Sequence, residues 1–159
     1  MTTNTTNQPE QAVADFKKLS VDDQLAWLWF AYTKMGSSIT PAAPGAAGED
    51  IAEGLYNQVK ELSHEEQLQV QRDIASKADT IISREYGSLS ANTKLFFWYR
   101  LAQGMESNVI IPMPPGYEMS DSVKELLERF EGLDFNEQIT IFRDSVIDMG
   151  AEAKGGSEI

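Results

Sequence analysis

The sequence predicts an all-α fold, and three observations support this prediction. Apolar residues recur at the spacing of helix faces along most of the chain. Serine or aspartate residues precede several of these segments, as expected of helix N-caps. The strongest strand signal, Val109-Ile110-Ile111, is closed at once by Pro112. With 159 residues, of which 42% are hydrophobic, the chain is long enough for one domain with a sizeable core.

A capping pattern that occurs three times marks helix starts. Each copy has a leucine, a capping residue, two variable positions, an acid, a glutamine and an aliphatic residue, and the copies begin at Leu19, Leu62 and Leu133. The Ser or Asp side chain can accept hydrogen bonds from the first free amides, while the acid three residues later reaches back. The uneven spacing of the copies indicates repeated helix starts rather than a repeat protein.

These starts and the apolar periodicity predict the helices in order. The predicted ranges are 9–18, 21–35, 48–61, 64–85, 91–106, 121–131 and 135–149. Gly36, Gly132 and Gly150 follow helices at positions that favour a left-handed residue. The segment 112–117 is predicted to be a stiff, extended loop, and residues 37–48 form the other long connection.

The termini are predicted to lie outside the folded part of the chain. Residues 1–8 are polar and are expected to be a disordered lead. Residues 9–150 carry the helical pattern and are expected to form the single domain. Residues 151–159 are expected to be a flexible tail.

The composition excludes several classes of function. The net charge of −12 and a pI near 4.4 argue against nucleic-acid binding, because neutralising phosphates requires a basic surface. The absence of cysteine excludes disulfides and thiolate chemistry. The N-terminus lacks the basic and apolar parts of a secretory signal. The longest apolar run, residues 25–32, is far shorter than the roughly 20 residues that span a bilayer. We therefore expect a cytoplasmic protein with no transmembrane segment.

No catalytic constellation is recognisable in the sequence. His64 is the single histidine, whereas a di-iron helical bundle needs two Glu-x-x-His pairs. The motifs of phosphate-binding loops, dinucleotide-binding folds and serine hydrolases do not occur. The carboxylates of the capping boxes already have a structural role. The sequence therefore predicts a protein that is neither an enzyme nor a metal protein.

Large aromatic side chains are concentrated in three windows, residues 27–32, 96–100 and 112–117. Rigid rings gathered in a few places indicate a flat apolar ligand or a bulky core, and the pattern alone leaves both interpretations open. Helical spacing gives two helices an apolar face each. These faces comprise Leu25, Leu28, Trp29 and Tyr32 on one helix, and Leu95, Trp98, Ala102 and Met105 on the other. Arg143 lies at the edge of a third stripe, either as a buried cation or as a snorkelling side chain.

Short runs of residues, in order from about residue 14 to residue 150, carry a specific resemblance. The runs are Asp23-Gln24-Leu25, Trp29-Phe30-Ala31-Tyr32, Met35-Gly36, Ala42-Ala43-Pro44-Gly45-Ala46-Ala47, Phe97-Trp98-Tyr99-Arg100-Leu101, Pro114, Gly116-Tyr117, Gln138-Ile139-Thr140 and Asp148-Met149-Gly150. They resemble the N-terminal domain of the cyanobacterial orange carotenoid protein. Because the sequence stops soon after Gly150, it looks like a helical carotenoid protein, the stand-alone homologue of that domain.

The resemblance implies an all-α fold of two discontinuous four-helix bundles that enclose a keto-carotenoid, such as canthaxanthin, echinenone or 3′-hydroxyechinenone. It also implies photoprotection, by quenching singlet oxygen or excited phycobilisomes. The positions that match carotenoid-lining residues are Leu25, Leu28, Trp29, Tyr32, Trp98, Ala102, Met105, Pro114, Tyr117, Thr140, Arg143 and Met149. Among them, Tyr32 and Trp98 match a pair that flanks one terminal ring. Arg143 matches an arginine that contacts the phycobilisome.

The chain departs from the photoactive relatives at four positions. Gln71 and Arg72 stand where those relatives often carry Met and Cys, which would reshape one end of the carotenoid tunnel. Gln103 replaces an acid, and Asp144 replaces an amide beside Arg143. An acid at that place would partly neutralise Arg143 and weaken docking to a phycobilisome.

Three functional hypotheses follow. The first is a constitutive carotenoid protein that quenches singlet oxygen, because the sequence carries no second, switching domain. The second is a quencher of antenna excitation that docks to phycobilisomes. The third is a pigment-free helical interaction module, in which the aromatic residues are only core. We expect a monomer in the cytoplasm, with phycobilisomes at the thylakoid surface or a separate carrier resembling the C-terminal domain as further partners.

Overall fold

The computed structural model describes residues 8–35, 49–114 and 116–151. Within these ranges the chain forms eight α-helices and no β-strand, which confirms the all-α prediction. The helices are α1 (Gln8–Lys17), α2 (Val21–Met35), α3 (Glu49–Lys60), α4 (His64–Ala75), α5 (Ile81–Gly87), α6 (Ala91–Glu106), α7 (Asp121–Glu131) and α8 (Phe135–Ile147). In the same part of the chain no helix is long and apolar enough to cross a membrane. The predictions for residues 1–7, 36–48 and 152–159 lie outside the described residues.

The helices pack as two groups of four. Helices α1, α2, α7 and α8 form the first bundle, which joins the two ends of the chain. Helices α3 to α6, from the middle of the chain, form the second. The bundles meet along a seam at which α2 packs on α4 and α6, and α8 packs on α6. This arrangement confirms the two discontinuous four-helix bundles that the resemblance implies.

The predicted helix 64–85 is wrong, because two helices occupy this range. Helix α4 ends in a Schellman motif, in which Lys77 has a φ of 64°. The Ala78 amide donates to the Asp73 carbonyl at 2.8 Å, and the Lys77 amide donates to the Ile74 carbonyl at 3.2 Å. Thr80 then caps the new helix α5. A lysine in place of the usual glycine at the left-handed position hid this helix end in the sequence.

The repeated capping pattern acts at all three predicted helix starts. Both reciprocal hydrogen bonds of the capping box are present at the starts of α4 and α8. At the start of α2, the Ser20 hydroxyl accepts from the Asp23 amide at 3.2 Å. The Asp23 carboxylate accepts from the hydroxyl of Ser120, which caps α7. The first copy of the pattern, which begins at Leu19, therefore also joins α2 to α7 within the first bundle.

The first bundle has an aromatic core of its own. The Trp27 side chain is fully buried. Its ring lies edge to face with Phe16 and Phe130, at centroid distances of 5.5 and 5.1 Å. Such pairs stabilise a core beyond the area that they bury. The core interpretation of the aromatic residues is therefore correct for Trp27.

Two glycines in the described residues test the predicted helix ends. Gly132 has a φ of −80°, so the left-handed prediction is wrong there. Gly150 is left-handed, with a φ of 88°. Its amide donates to the Ile74 carbonyl at 2.8 Å, which joins the end of α8 to α4. A Cβ atom on Gly150 would lie 2.6 Å from Tyr86 Cδ1 and 2.9 Å from Gly87 Cα. This junction therefore requires glycine.

Gly150→Ala should lower the free energy of unfolding by about 1–3 kcal/mol, because the backbone conformation and the close contacts both oppose a side chain. Gly54→Ala is the matched control, because a Cβ there meets nothing within 4 Å. Gly54 lies inside α3, so the control should be stabilised by about 1 kcal/mol. Urea unfolding measures both changes. A Gly150→Ala variant as stable as the parent chain would contradict this account of the junction.

Candidate functional site

A narrow apolar cavity lies on the seam between the two bundles. Its lining residues come from α2, α4, α6 and α8: Leu25, Leu28, Trp29, Gln71, Trp98, Leu101, Ala102, Met105 and Phe142. The volume of the cavity is about 20 Å³. Six of the twelve residues that the sequence predicts to line a ligand site lie around this cavity, and all six are on α2 and α6.

Helical periodicity explains why these side chains meet. On α6, Trp98, Leu101 and Met105 follow one another at intervals of three and four residues, so they share a face. On α2, Leu25 and Trp29 are four residues apart and share a face in the same way. Because α2 belongs to one bundle and α6 to the other, packing the bundles together brings the two stripes opposite each other. The cavity is therefore a product of the tertiary fold.

A buried hydrogen-bond chain fixes the indole ring of Trp98. Trp98 Nε1 donates to the hydroxyl of Tyr86 at 2.9 Å, and this hydroxyl donates to the carbonyl of Val146. Burial raises the pKa of Tyr86 well above its usual value, so the phenol stays protonated and remains a donor. The rings of Tyr86 and Trp98 also lie edge to face, with centroids 6.3 Å apart. Trp98 is thus held in one orientation at the wall of the cavity.

A ring cluster extends from the cavity along α2. Tyr32 stacks on Trp29 with centroids 5.8 Å apart and meets Tyr99 edge to face at 5.5 Å. Burial, together with the hydrogen-bonded carboxylate of Glu106, raises the pKa of Tyr32 to about 12. The phenol is therefore neutral at physiological pH. Tyr32 contacts Trp29 and Tyr99, whereas Trp98 contacts Tyr86. The two residues that were predicted to flank one terminal ring of the ligand therefore lie in two neighbouring ring clusters.

The proline-rich segment places two predicted residues away from the cavity. The Tyr117 amide donates to the Pro114 carbonyl at 3.1 Å, and Gly116 has a φ of 76°, so a turn forms where a stiff, extended loop was predicted. Pro114 is exposed. The Tyr117 ring stacks on Phe30 at a centroid distance of 6.4 Å, which covers an outer face of α2. Neither residue lines the cavity.

The predicted residues of the last helix are dispersed along it. The Thr140 hydroxyl donates to the Asn136 carbonyl at 2.9 Å. Arg143 is a little over one third exposed and forms an ion pair with the Asp144 carboxylate at 3.4 Å. Met149 is buried beyond the end of α8, beside an open groove that Lys94 also lines. The predicted residues on α8 and beyond its end therefore do not line the cavity.

Some residues of the site were missed or incompletely described by sequence reasoning. Leu101 and Phe142 line the cavity, and the spacing of Leu101 from Trp98 could have identified it. Gln71 also lines the cavity, although the sequence singled it out only as a departure from relatives. The role of Tyr86 had no sequence signal, because its bond to Trp98 joins two helices.

The geometry can be compared with known proteins. Residues 2–152 match the family described as "Orange carotenoid protein, N-terminal". An orange carotenoid-binding domain-containing protein of Nostoc sp. (strain PCC 7120) is 56% identical over 137 residues, which are 86% of this chain and 80% of the relative. The orange carotenoid-binding protein of Synechocystis sp. is 43% identical over 92% of this chain. That match spans only 47% of the Synechocystis protein.

Solved structures are similar over nearly the same residues. The red carotenoid protein of Anabaena (Nostoc) sp. PCC 7120, in a structure binding canthaxanthin, has a TM-score of 0.80 and 52% identity. The match covers 91% of this chain and 99% of that one. The orange carotenoid protein of the same organism, also binding canthaxanthin, has a TM-score of 0.85 and 46% identity, over 92% of this chain and 47% of that chain.

Tyr86→Phe should cost about 1–3 kcal/mol of stability, because it leaves Trp98 Nε1 and the Val146 carbonyl buried without their partner. The indole bands of the near-ultraviolet circular dichroism should change as Trp98 loses its fixed orientation. Tyr117→Phe is the control, because Tyr117 is only partly buried, and it should change stability by no more than about 0.5 kcal/mol. If the two variants were equally stable, the hydrogen bonds through Tyr86 would not be what holds Trp98 in place.

Proposed function

The chain belongs to the family of the orange carotenoid protein N-terminal domain, and from this premise we propose that it binds a keto-carotenoid at the seam and quenches singlet oxygen. The observation that carries the proposal is the pair of opposed apolar stripes, one from each bundle, around a single cavity. Relatives of the same fold bind canthaxanthin, which supports a keto-carotenoid as the ligand. A long apolar rod needs walls from several sequence-distant helices, and this seam supplies them.

The length of the ligand extends the proposed site beyond the cavity. A carotenoid is about 30 Å long, comparable to a 20-residue helix. A compact domain of this size has a radius of gyration near 15 Å, so a bound carotenoid traverses most of it. We therefore retain the peripheral residues in the proposal. These are Tyr32, Pro114, Tyr117, Thr140, Arg143 and Met149, in addition to the residues that line the cavity.

Binding requires the seam to open. The cavity volume of about 20 Å³ suffices for about one water molecule, since a cavity of roughly 10–15 Å³ can hold one. A polyene chain therefore fits only after the facing side chains of α2 and α6 have moved apart. The side chains that line the cavity are mostly apolar, so opening it breaks no ion pair among them. The apolar contacts between protein groups are replaced by apolar contacts with the pigment.

The side chains of the seam hold the pigment rather than react with it. When bound, the carotenoid supplies the low-lying excited states that accept energy from singlet oxygen. Trp98, held by Tyr86, offers a rigid ring wall against which a conjugated chain can pack. Leu25 and Ala102 complete the wall with smooth aliphatic surface. No proton transfer or metal is required for this role.

One contact favours singlet oxygen over the phycobilisome as the target. The Arg143 guanidinium is paired with the Asp144 carboxylate, which reduces the positive charge available to a docking partner. The net charge of −12, from 25 acidic and 13 basic residues, also disfavours such a surface on electrostatic grounds. Phycobilisome docking is therefore the second candidate, and a pigment-free interaction module is the third. That the pigment protein is constitutive stays a prediction, as do its monomeric state and its location.

Trp98→Leu tests the proposal against the core interpretation. If the seam binds pigment, this variant should bind canthaxanthin at least about tenfold more weakly than the parent chain, a loss of about 1.4 kcal/mol or more in binding free energy. Phe135→Leu is the control, because Phe135 is an exposed aromatic residue that does not line the cavity. Phe135→Leu should bind canthaxanthin as tightly as the parent chain does.

The readouts are co-eluting pigment, the free energy of unfolding and the lifetime of photosensitised singlet oxygen. The pigmented parent chain should shorten that lifetime more than its pigment-free form does. Destabilisation of Trp98→Leu without loss of pigment would assign Trp98 to the core alone. A pigmented chain that quenches no better than the pigment-free chain would refute the quenching role.

A further inference from the structure

Gln71 is a polar residue in an otherwise apolar cavity. It lies on α4, is only 5% exposed, and lines the cavity together with Trp29 and Trp98. Its Nε2 atom is buried and has no hydrogen-bond partner. The described residues contain two other buried side-chain atoms of this kind, on Trp27 and Ser145, and neither of these residues lines the cavity.

The other two glutamines that are buried in the described part of the chain are satisfied by protein groups. Gln24 Nε2 donates to the Phe16 carbonyl at 3.2 Å. Gln67 Nε2 donates to the Val109 carbonyl at 3.1 Å, and its side-chain carbonyl accepts from the Ile111 amide at 2.9 Å. These two amides hold the structure together. A buried amide donor left unsatisfied destabilises a fold, so Gln71 calls for a different explanation.

The neighbouring Arg72 is already engaged. Its guanidinium donates two hydrogen bonds to the Asp22 carboxylate, at 2.9 and 3.3 Å, and this bidentate pair joins α4 to the first turn of α2. Asp22 precedes Leu25 by about one helical turn, so the pair lies beside the end of the apolar stripe. Of these two adjacent donors, Gln71 is therefore the one that can serve a ligand in the cavity.

We propose that the Gln71 amide donates a hydrogen bond to the oxygen of a carotenoid end ring, and so selects keto-carotenoids over hydrocarbon carotenoids. This inference rests on the proposed function. A keto oxygen can only accept, and the Gln71 N–H groups can only donate, so the two match in chemistry. A hydrocarbon carotenoid leaves the amide unsatisfied and therefore binds less well. Gln71 thereby marks the part of the seam in which an oxygenated ring lies.

Gln71→Met tests the inference, because methionine has a similar length and no donor. The parent chain and the variant would be mixed with liposomes loaded with either canthaxanthin or β-carotene, and the extracted pigment measured by absorbance. The parent chain should prefer canthaxanthin about tenfold, the factor that one hydrogen bond supplies. Gln71→Met should lose this preference and still extract β-carotene. Gln69→Met, an exposed position on the same helix, is the matched control and should behave as the parent chain does.

Resonance Raman spectra of bound canthaxanthin give a second readout that packing alone would not move. The carbonyl stretch should lie at lower frequency in the parent chain and in Gln69→Met than in Gln71→Met, because a hydrogen bond weakens the C=O bond. The pigment-free Gln71→Met chain should also be at least as stable as the parent. If the parent chain and Gln71→Met both bind pigment, with the same preference for canthaxanthin and the same carbonyl frequency, this inference is overturned and the proposed function stands. Failure of every chain to extract either pigment would overturn the proposed function and this inference with it.

Discussion

Hydrogen bonds at the end of α8 hold the second bundle on the first. The Tyr86 hydroxyl and the Lys94 ammonium donate to the last carbonyls of α8, and the amides of Gly150 and Ala151 donate back to α4 and α5. Helix-end carbonyls need such partners, because they have none within the helix. Lys94 is nearly buried and lies at the negative end of the helix dipole, where a cation is stabilised.

Because these bonds fix one end of the interface, the α2–α6 part of the seam can be built from apolar contacts. Tyr86 connects the two parts, since its hydroxyl binds both α8 and the indole of Trp98. The wall of the cavity is therefore oriented by the same group that joins the bundles. A ring held in advance costs little conformational entropy when a ligand packs against it. In the proposed binding mode, the apolar contacts open to admit a pigment while the polar end stays closed.

The sequence predicted the fold class, and it named six of the residues that the structure brings together around the cavity, because both follow from local periodicity and from specific runs of residues. It did not predict the break between α4 and α5, since Lys77 occupies a position that usually holds glycine. The different environments of Trp27 and Trp29 depend on which helices cover each face of α2. The buried, unpaired state of Gln71 likewise exists only after α4 packs on α2. Such tertiary relations leave no mark in local spacing.

The visible absorption spectrum of the chain, purified from cells that make keto-carotenoids, tests the central claim most directly. An intense, red-shifted carotenoid band that co-elutes with the folded protein is the predicted result, because rigid rings on both sides of the seam should hold and perturb a polyene. A folded protein that elutes without colour would contradict the account. In that case the stripes on α2 and α6 would be core alone, and a pigment-free interaction module would explain the chain better.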